Sequence, residues 1–219
     1  LLPEKRQNML FSATMTGAVK RLSEAILKKP LLVEIDNLKA ADATLRQVVH
    51  PVEKERKSEL LSYLIGSNNY PQVLVFTRTK AEADEVGREL GLSGLKNAVI
   101  HGDKKHGARD RALTEFREGK VRILVATDIA ARGLDIDSIS HVINYDMPDT
   151  ADAYIHRIGR TGRAKRTGEA FTLTTPDDDG MVRKIEKIMK QKLKRRTLPD
   201  FDYTVAKPDY PQQTRKPRP

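Results

Sequence analysis

Cysteine is absent from the 219 residues, which excludes disulfides, thiolate metal sites and a cysteine nucleophile, and fits a reducing compartment such as the cytoplasm, with export as the compatible alternative. Aromatic residues are scarce, 5% with no tryptophan, so no stacking platform for bases is expected. No run of 18 apolar residues occurs, which excludes a helical membrane span; a soluble chain without a membrane partner is expected. The glycine-rich phosphate loop GxxxxGK[ST] is missing as well. Gly119-Lys120 lacks both the earlier glycine and the hydroxyl residue after the lysine, so the chain is not expected to cradle a triphosphate unaided. It opens at Leu1 with no charged, apolar and small-residue leader, and reads as a piece of a longer protein.

What is present is positive charge, unevenly placed. The formal net charge is +10, yet residues 183–219 hold twelve basic and four acidic side chains. Basicity is therefore a property of the C-terminal end. Charge this dense points to a polyanion, nucleic acid or an acidic membrane surface, with a merely solubilising face as the bland alternative.

The apolar pattern implies α/β architecture. Residues 8–14, NMLFSAT, form a short apolar run, and residues 16–29 predict a helix with Val19, Leu22, Ala25 and Ile26 on one face, ended by Pro30. Residues 34–44 lack apolar periodicity and suit a linker. From residue 45, β-branched runs at 73–77, 98–101, 122–128, 141–146 and 169–175 alternate with helical patterns at 80–90, 107–118 and 151–159. Strands apolar on both faces, separated by amphipathic helices, predict a parallel sheet covered on both sides. Ligands meet such sheets at the carboxyl ends of the strands, where Thr77, His101, Thr127 and Asp128 fall. A last helix over 177–194 is expected to turn Met181, Ile185, Ile188 and Met189 inward and leave its lysines wet. Beyond Leu198 the Pro-rich chain is expected to be extended or disordered.

Two segments carry chemistry. In His156-Arg157-Ile158-Gly159-Arg160-Thr161-Gly162-Arg163, arginines recur every three residues. Guanidinium groups can then converge on phosphate oxygens while the glycines let the backbone approach; a solvated basic helix end is the alternative. In Thr127-Asp128-Ile129-Ala130-Ala131-Arg132-Gly133-Leu134-Asp135, small residues leave amides accessible and Asp135 can accept from a sugar hydroxyl, although such an aspartate often only caps a turn.

With Ser12-Ala13-Thr14, Val75-Phe76-Thr77-Arg78-Thr79-Lys80, and His101-Gly102 with Arg109, these segments form an ordered set. The chain closely resembles DEAD-box RNA helicases over residues 1 to about 195, in the order of that family's motifs III, IV, IVa, V and VI. The wording VLVFTRTK and ATDIAARGLDI is most similar to the bacterial RhlE-type branch. The resemblance implies two RecA-like domains with ATP, held with Mg²⁺, in the cleft between them. Residues 1–33 would be the last strand and helix of the first domain, 34–44 a linker, 45–197 the second domain, and 198–219 a basic tail. The phosphate loop and the Mg²⁺ carboxylates would lie in the N-terminal RecA-like domain, upstream of Leu1.

On the same resemblance, Arg160 and Arg163 would be arginine fingers on the γ-phosphate, Asp135 and Gly133 would meet the nucleotide, and His156 would couple the closed cleft to the SAT segment. Thr77, Arg78, Gly102, Arg109, Thr127 and Asp128 would face the RNA backbone. Ser12 and Thr14 would link hydrolysis to duplex opening. His106 departs from the family's Gln-x-x-Arg, replacing an uncharged group with a titratable one; a tolerated surface change is the plainer reading. His50 and His141 fall in or beside strand patterns and read as packing or surface residues. No histidine pair has metal-ligand spacing, so no metal site is expected in the chain itself. A non-catalytic RNA-binding module and a DNA helicase of the wider superfamily are the rival readings.

Overall fold

The computed structural model describes residues 3, 5–12, 15, 17–33, 45–131, 139–162 and 167–204. The chain divides into two units, Leu1–Leu38 and Lys39–Pro219.

In the first unit α1 spans Gly17–Ile26, and none of its residues is buried. The strand expected in the apolar run before it is not seen among the described residues 5–12. Met9 and Phe11 are exposed there, and no neighbouring strand pairs with them. A lone strand has no partner for its amides and carbonyls.

The second unit is a seven-stranded sheet. Its strands are β1 (Leu45–Pro51), β2 (Val73–Thr77), β3 (Asn97–Ile100), β4 (Ile123–Thr127), β5 (His141–Asn144), β6 (Gly168–Thr174) and β7 (Lys194–Arg195). The spatial order is β3-β4-β2-β5-β6-β1-β7, and every pair is parallel. Helices α2 (Lys57–Gly66), α3 (Lys80–Leu92), α4 (His106–Arg117), α5 (Asp128–Ala131), α6 (Ala151–Ile158) and α7 (Asp179–Met189) connect them.

The double-faced apolar pattern of the strands is the cause of this arrangement. In β2, Val73 and Val75 enter one core, with Leu60, Leu64 and Ile65 of α2 and Val86 and Leu90 of α3. Leu74 and Phe76 enter the opposite core, with Leu113 and Phe116 of α4. Ile123 and Val125 of β4 repeat the first pattern, Leu124 and Ala126 the second. Alternate residues must point to opposite faces of a strand, so only a sheet sandwiched between helices buries both sets. Each fully buried leucine or isoleucine contributes about 1.5–3 kcal/mol of transfer free energy. The helix starts are set locally: Thr79 caps α3 by accepting the Glu82 amide at 3.1 Å, and Thr150 caps α6 by accepting the Ala153 amide at 3.1 Å.

The expected last helix is shorter than its pattern. It ends at Met189 because Lys190 turns left-handed, φ 53°, and the chain reverses into β7. Ile185 and Val182 face the core, whereas Ile188, expected inward, is exposed. The stretch beyond Leu198 is also corrected over residues 198–204. Leu198, Phe201 and Tyr203 pack on the core that holds α2, Arg56 lies over the Phe201 ring at 5.3 Å and donates to the Asp202 carbonyl, and the Leu198 amide donates to the Tyr203 hydroxyl at 3.1 Å. Two aromatics within three residues supply apolar area that proline content and charge had masked. Among the described residues no helix is long and apolar enough to cross a membrane.

Candidate functional site at the carboxyl edge of the sheet

Because all strands run one way, the segments that follow β2, β3, β4 and β5 emerge along one edge, and side chains tie them together. Arg157, near the end of α6, is 2% exposed. Its Nε and Nη2 donate to Asp128 Oδ1 and Oδ2 at 2.8 and 2.7 Å, while Nη1 donates to Asn144 Oδ1 at 3.2 Å and the Asp146 carbonyl at 2.7 Å. Its guanidinium also lies 5.0 Å over the Phe76 ring. Four donated hydrogen bonds find acceptors that only such a network supplies, so burial of the charge is compensated.

Asp146 is the second hub. Its Oδ2 accepts the Arg78 amide at 3.0 Å, and its Oδ1 lies 3.4 Å from Nζ of the buried Lys57, which also donates to the Tyr145 carbonyl at 3.0 Å. Burial pushes the Tyr145 phenol up to about 12 against a hydroxyl contact with Ser58 at 2.9 Å. Arg78 carries its half-exposed guanidinium outward, with Nη2 donating to the Met147 carbonyl at 3.2 Å and Nε 3.7 Å from Asp149.

The segment after β3 is built on His101. Its Nδ1 accepts the Asp103 amide at 3.3 Å, so the proton sits on Nε2 and is donated to Asp84 at 3.1 Å. Lys104 reaches the other Asp84 oxygen at 2.7 Å. Burial would raise the Asp84 carboxyl, but the Lys104 and His101 hydrogen bonds outweigh it and hold the group below its ordinary range. Lys80 bonds Asp103 at 2.5 Å and passes beside exposed Gly102.

Helix α4 then begins without a side-chain cap: Lys105 makes no capping bond and the first turn holds no acid. His106 pairs with Asp110 at 2.7 Å on an exposed surface. Arg109, in that first turn, has a buried Nε with no hydrogen-bond partner. Uncapped amides, the positive end of the helix dipole and Arg109 favour an anion at one point.

Several expectations change. Arg157 is spent inside the fold on Asp128, Asn144 and the Asp146 carbonyl, so it is not a guanidinium turned out toward a phosphate. Thr77 is fully buried and its hydroxyl donates to the Thr79 carbonyl at 3.3 Å; Thr127, its register partner, is buried too. Neither side chain is exposed, because both sit where the sheet is covered on both sides. Asp128 spends its carboxylate on Arg157. Arg160 is half-buried in a turn held by its neighbours: Thr161 donates to the Ile139 carbonyl, and to the Ser140 carbonyl at 3.0 Å, and Gly162 takes φ 69°. A Cβ on Gly168 would overlap Thr161 Oγ1 and the Gly162 amide nitrogen, so glycine lets β6 run against this turn. His156 is exposed at the end of α6, and Ser12 is exposed in the first unit. Thr14, Gly133, Asp135 and Arg163 lie outside the described residues.

Comparison with known proteins decides the family. Residues 56–165 match the helicase conserved C-terminal domain. The chain belongs to the DEAD-box helicase family. It is 40% identical over 201 residues to the DEAD-box ATP-dependent RNA helicases CshA of Geobacillus kaustophilus and of Bacillus subtilis, covering 92% of this chain and 43% and 41% of theirs. The chain thus spans less than half the length of these relatives. Among solved structures, Escherichia coli SrmB bound to regulator of ribonuclease activity A is 34% identical with TM-score 0.69, covering 76% of this chain and 98% of that one. Saccharomyces cerevisiae Dbp5 bound to RNA and ADP BeF3 is 31% identical with TM-score 0.80, covering 89% of this chain and 52% of that one.

For a DEAD-box domain, the residues that hold the edge together went unnoticed in the sequence. Lys57, Asn144 and Asp146 belong to no motif segment quoted above. A lysine opening the apolar pattern LLSYLI, and an Asn-Tyr-Asp run closing a buried strand, were the available signals, since a charge or amide there must find a partner. Among the described residues no three His, Asp or Glu side chains stand together to hold a metal, and the carboxylates of Asp128 and Asp146 are already engaged by cations.

Proposed function

We propose that this chain is the C-terminal motor domain of a cytoplasmic ATP-dependent RNA helicase, acting with an N-terminal RecA-like domain that carries the phosphate loop and the Mg²⁺ ligands. The observation that carries the reading is the uncapped start of α4, where Arg109 keeps an unpartnered buried Nε in the first turn, directly after Lys104 and Lys105. Arg78, placed by Asp146, adds a half-exposed guanidinium. Both suit the phosphodiester backbone and neither reads bases.

Arg160 is the described residue that fits the nucleotide: a guanidinium on a pinned turn suits a phosphate arriving across a cleft. Arg163, Asp135 and Gly133 are proposed beside it from the motif order. ATP, when bound with Mg²⁺, supplies the phosphoanhydride whose cleavage resets the two domains. Arg160 would neutralise charge on the γ-phosphoryl oxygens, worth roughly 10³–10⁵ in rate. Arg78 and Arg109 would hold one strand, bent on closure so that its partner leaves. The wording of VLVFTRTK and ATDIAARGLDI keeps the RhlE-type branch as the finer reading, although the relatives named above are CshA proteins.

The test is ATP hydrolysis by this chain joined to its N-terminal domain. Stimulation by RNA and not by DNA of equal length is expected, with no turnover by the 219-residue chain alone. Equal stimulation by DNA would favour the DNA helicase, and RNA binding without turnover the non-catalytic module.

A further inference from the structure

The face formed by α7 and β7 carries positive charge that the carboxyl edge leaves unused. Residues 183–196 contain eight Lys and Arg side chains and one acid, and all eight cations are exposed. The acid, Glu186, is buried: it accepts Lys192 Nζ at 2.6 Å and the Leu193 amide at 3.1 Å. It folds the chain back toward β7 and also lines a groove on this face, where its carboxylate is already matched by Lys192. Arg195 meets Asp179 at 3.4 Å, but Arg183, Lys184, Lys187, Lys190, Lys194 and Arg196 have no ion-pair partner among the described residues.

Such a face is unfavourable by itself. Arg183 with Lys187, and Lys184 with Lys187, are like charges at spacings that destabilise a helix. Arg183, Lys187, Lys190 and Lys192 line a shallow groove of about 400 Å³ together with Glu186, which pairs with Lys192, so three cations without an acidic partner overlook one concavity. A multiply charged anion relieves that repulsion.

We propose that the α7–β7 face is a second RNA-binding surface, gripping the phosphodiester backbone without reading bases. The proposal goes beyond the carboxyl-edge reading and does not depend on it. Residues 179–196 contain no aromatic side chain, so attraction there is by charge and not by stacking. A bilayer is a poorer occupant, because the apolar side of α7, Val182 and Ile185, is spent on the core. A protein is poorer too, since lysine is depleted from protein–protein interfaces. β7 and β3 are the two ends of the sheet. Six strand spacings of about 4.8 Å separate the new surface from the α4 start by roughly 29 Å. The two surfaces can therefore be altered independently.

The experiment is fluorescence anisotropy of labelled oligouridylate with the 219-residue chain over a range of salt. Changing Arg183, Lys184, Lys187 and Lys194 together to Gln should make the slope of log affinity against log salt shallower by about 3, at about 0.7 per lost contact. Affinity near 0.1 M salt should drop at least tenfold, equally for oligoadenylate, with an unchanged or raised melting temperature. If that variant does not fold, Lys184→Gln with Lys187→Gln should flatten the slope by about 1.4. A folded variant with the parent's slope and affinity overturns the proposal. So does intact RNA binding with lost binding to phosphatidylserine vesicles. Arg78→Gln with Arg109→Gln is the second arm: loss only there leaves the carboxyl-edge reading standing and removes this one, and loss only in the α7–β7 variant does the reverse.

Discussion

Arg157 grips both carboxylate oxygens of Asp128, at 2.8 and 2.7 Å, from a position that is itself 2% exposed. The first arginine of HRIGRTGR is thereby a positioning residue that binds the end of β4 to α6. Its change to alanine should cost stability more than chemistry. We expect Arg157→Ala to lower unfolding free energy by about 2–4 kcal/mol, somewhat below the 3–5 of a fully buried pair because Asp128 is partly exposed. Urea unfolding with an unchanged m-value measures it, and a loss under about 1 kcal/mol would contradict the assignment.

Gly168 and Arg160 should separate shape from charge. Gly168→Ala places a methyl against Thr161 and the Gly162 backbone, and is expected to cost about 1–3 kcal/mol while shifting the turn that carries Arg160. Arg160→Lys keeps the charge and loses the planar fork, so the melting temperature should hold within a few degrees while turnover in the two-domain protein falls roughly 10²–10³-fold, part of the finger scale. If Arg160→Lys lost as much stability as Gly168→Ala, Arg160 would be structural.

Stability should fall on mild acidification. Burial lowers the His50 imidazole in β1, and burial likewise lowers His141, stacked at 3.7 Å on Tyr70. Both are held neutral in the fold, so the unfolded chain binds more protons once the pH drops below about 6.5. Their contribution is complete above that pH and is lost as pH falls from about 6.5 toward the depressed folded values. The Asp84 and Glu186 carboxyls, also lowered, act in a separate window: their contribution is present above the ordinary carboxylate range near pH 4 and is lost only as pH falls below it. Thermal melts between pH 5 and 8 should flatten in His50→Phe with His141→Phe; an unchanged profile would place the pH sensitivity elsewhere.

His106 should be silent. Its ring is engaged with Asp110 at 2.7 Å on an exposed helix start, and Asp110 offsets any positive charge it gains. The pH dependence of RNA affinity should be the same for His106→Gln and the parent, and a profile that flattens in the variant would give the histidine a phosphate contact.

How much of this was legible follows from where the information sits. Val73–Thr77 and Ile123–Thr127 were readable because their apolar runs are continuous and both faces are buried. β1 was touched only through His50, and α2 not at all: Leu45–Pro51 contains Arg46, Gln47 and His50, and α2 opens with a lysine. Gln47 accepts the Tyr154 hydroxyl at 2.9 Å, a pairing 107 residues apart that no local window contains. The motif segments were legible as words, but the roles within them were not. Whether Thr77 or Arg157 faces outward depends on tertiary burial, and the run of cations along the last helix does not reveal that Glu186 is buried against Lys192 and the Leu193 amide.

The strand order has a consequence for how the protein is made. β1 is the first strand of the sheet to be synthesised, and its neighbours, β6 and β7, are the last two. Leu45 must wait for Gly168, its register partner. At about 5–20 residues per second, the delay is on the order of ten seconds. Throughout it Val48 and Val49 have no lateral hydrogen-bonding partner, and the early β2, β3 and β4 can assemble without them. The nascent sheet therefore keeps an unpaired apolar strand until its last two strands arrive, so its completion rests on one long-range closure and not on the many local helices.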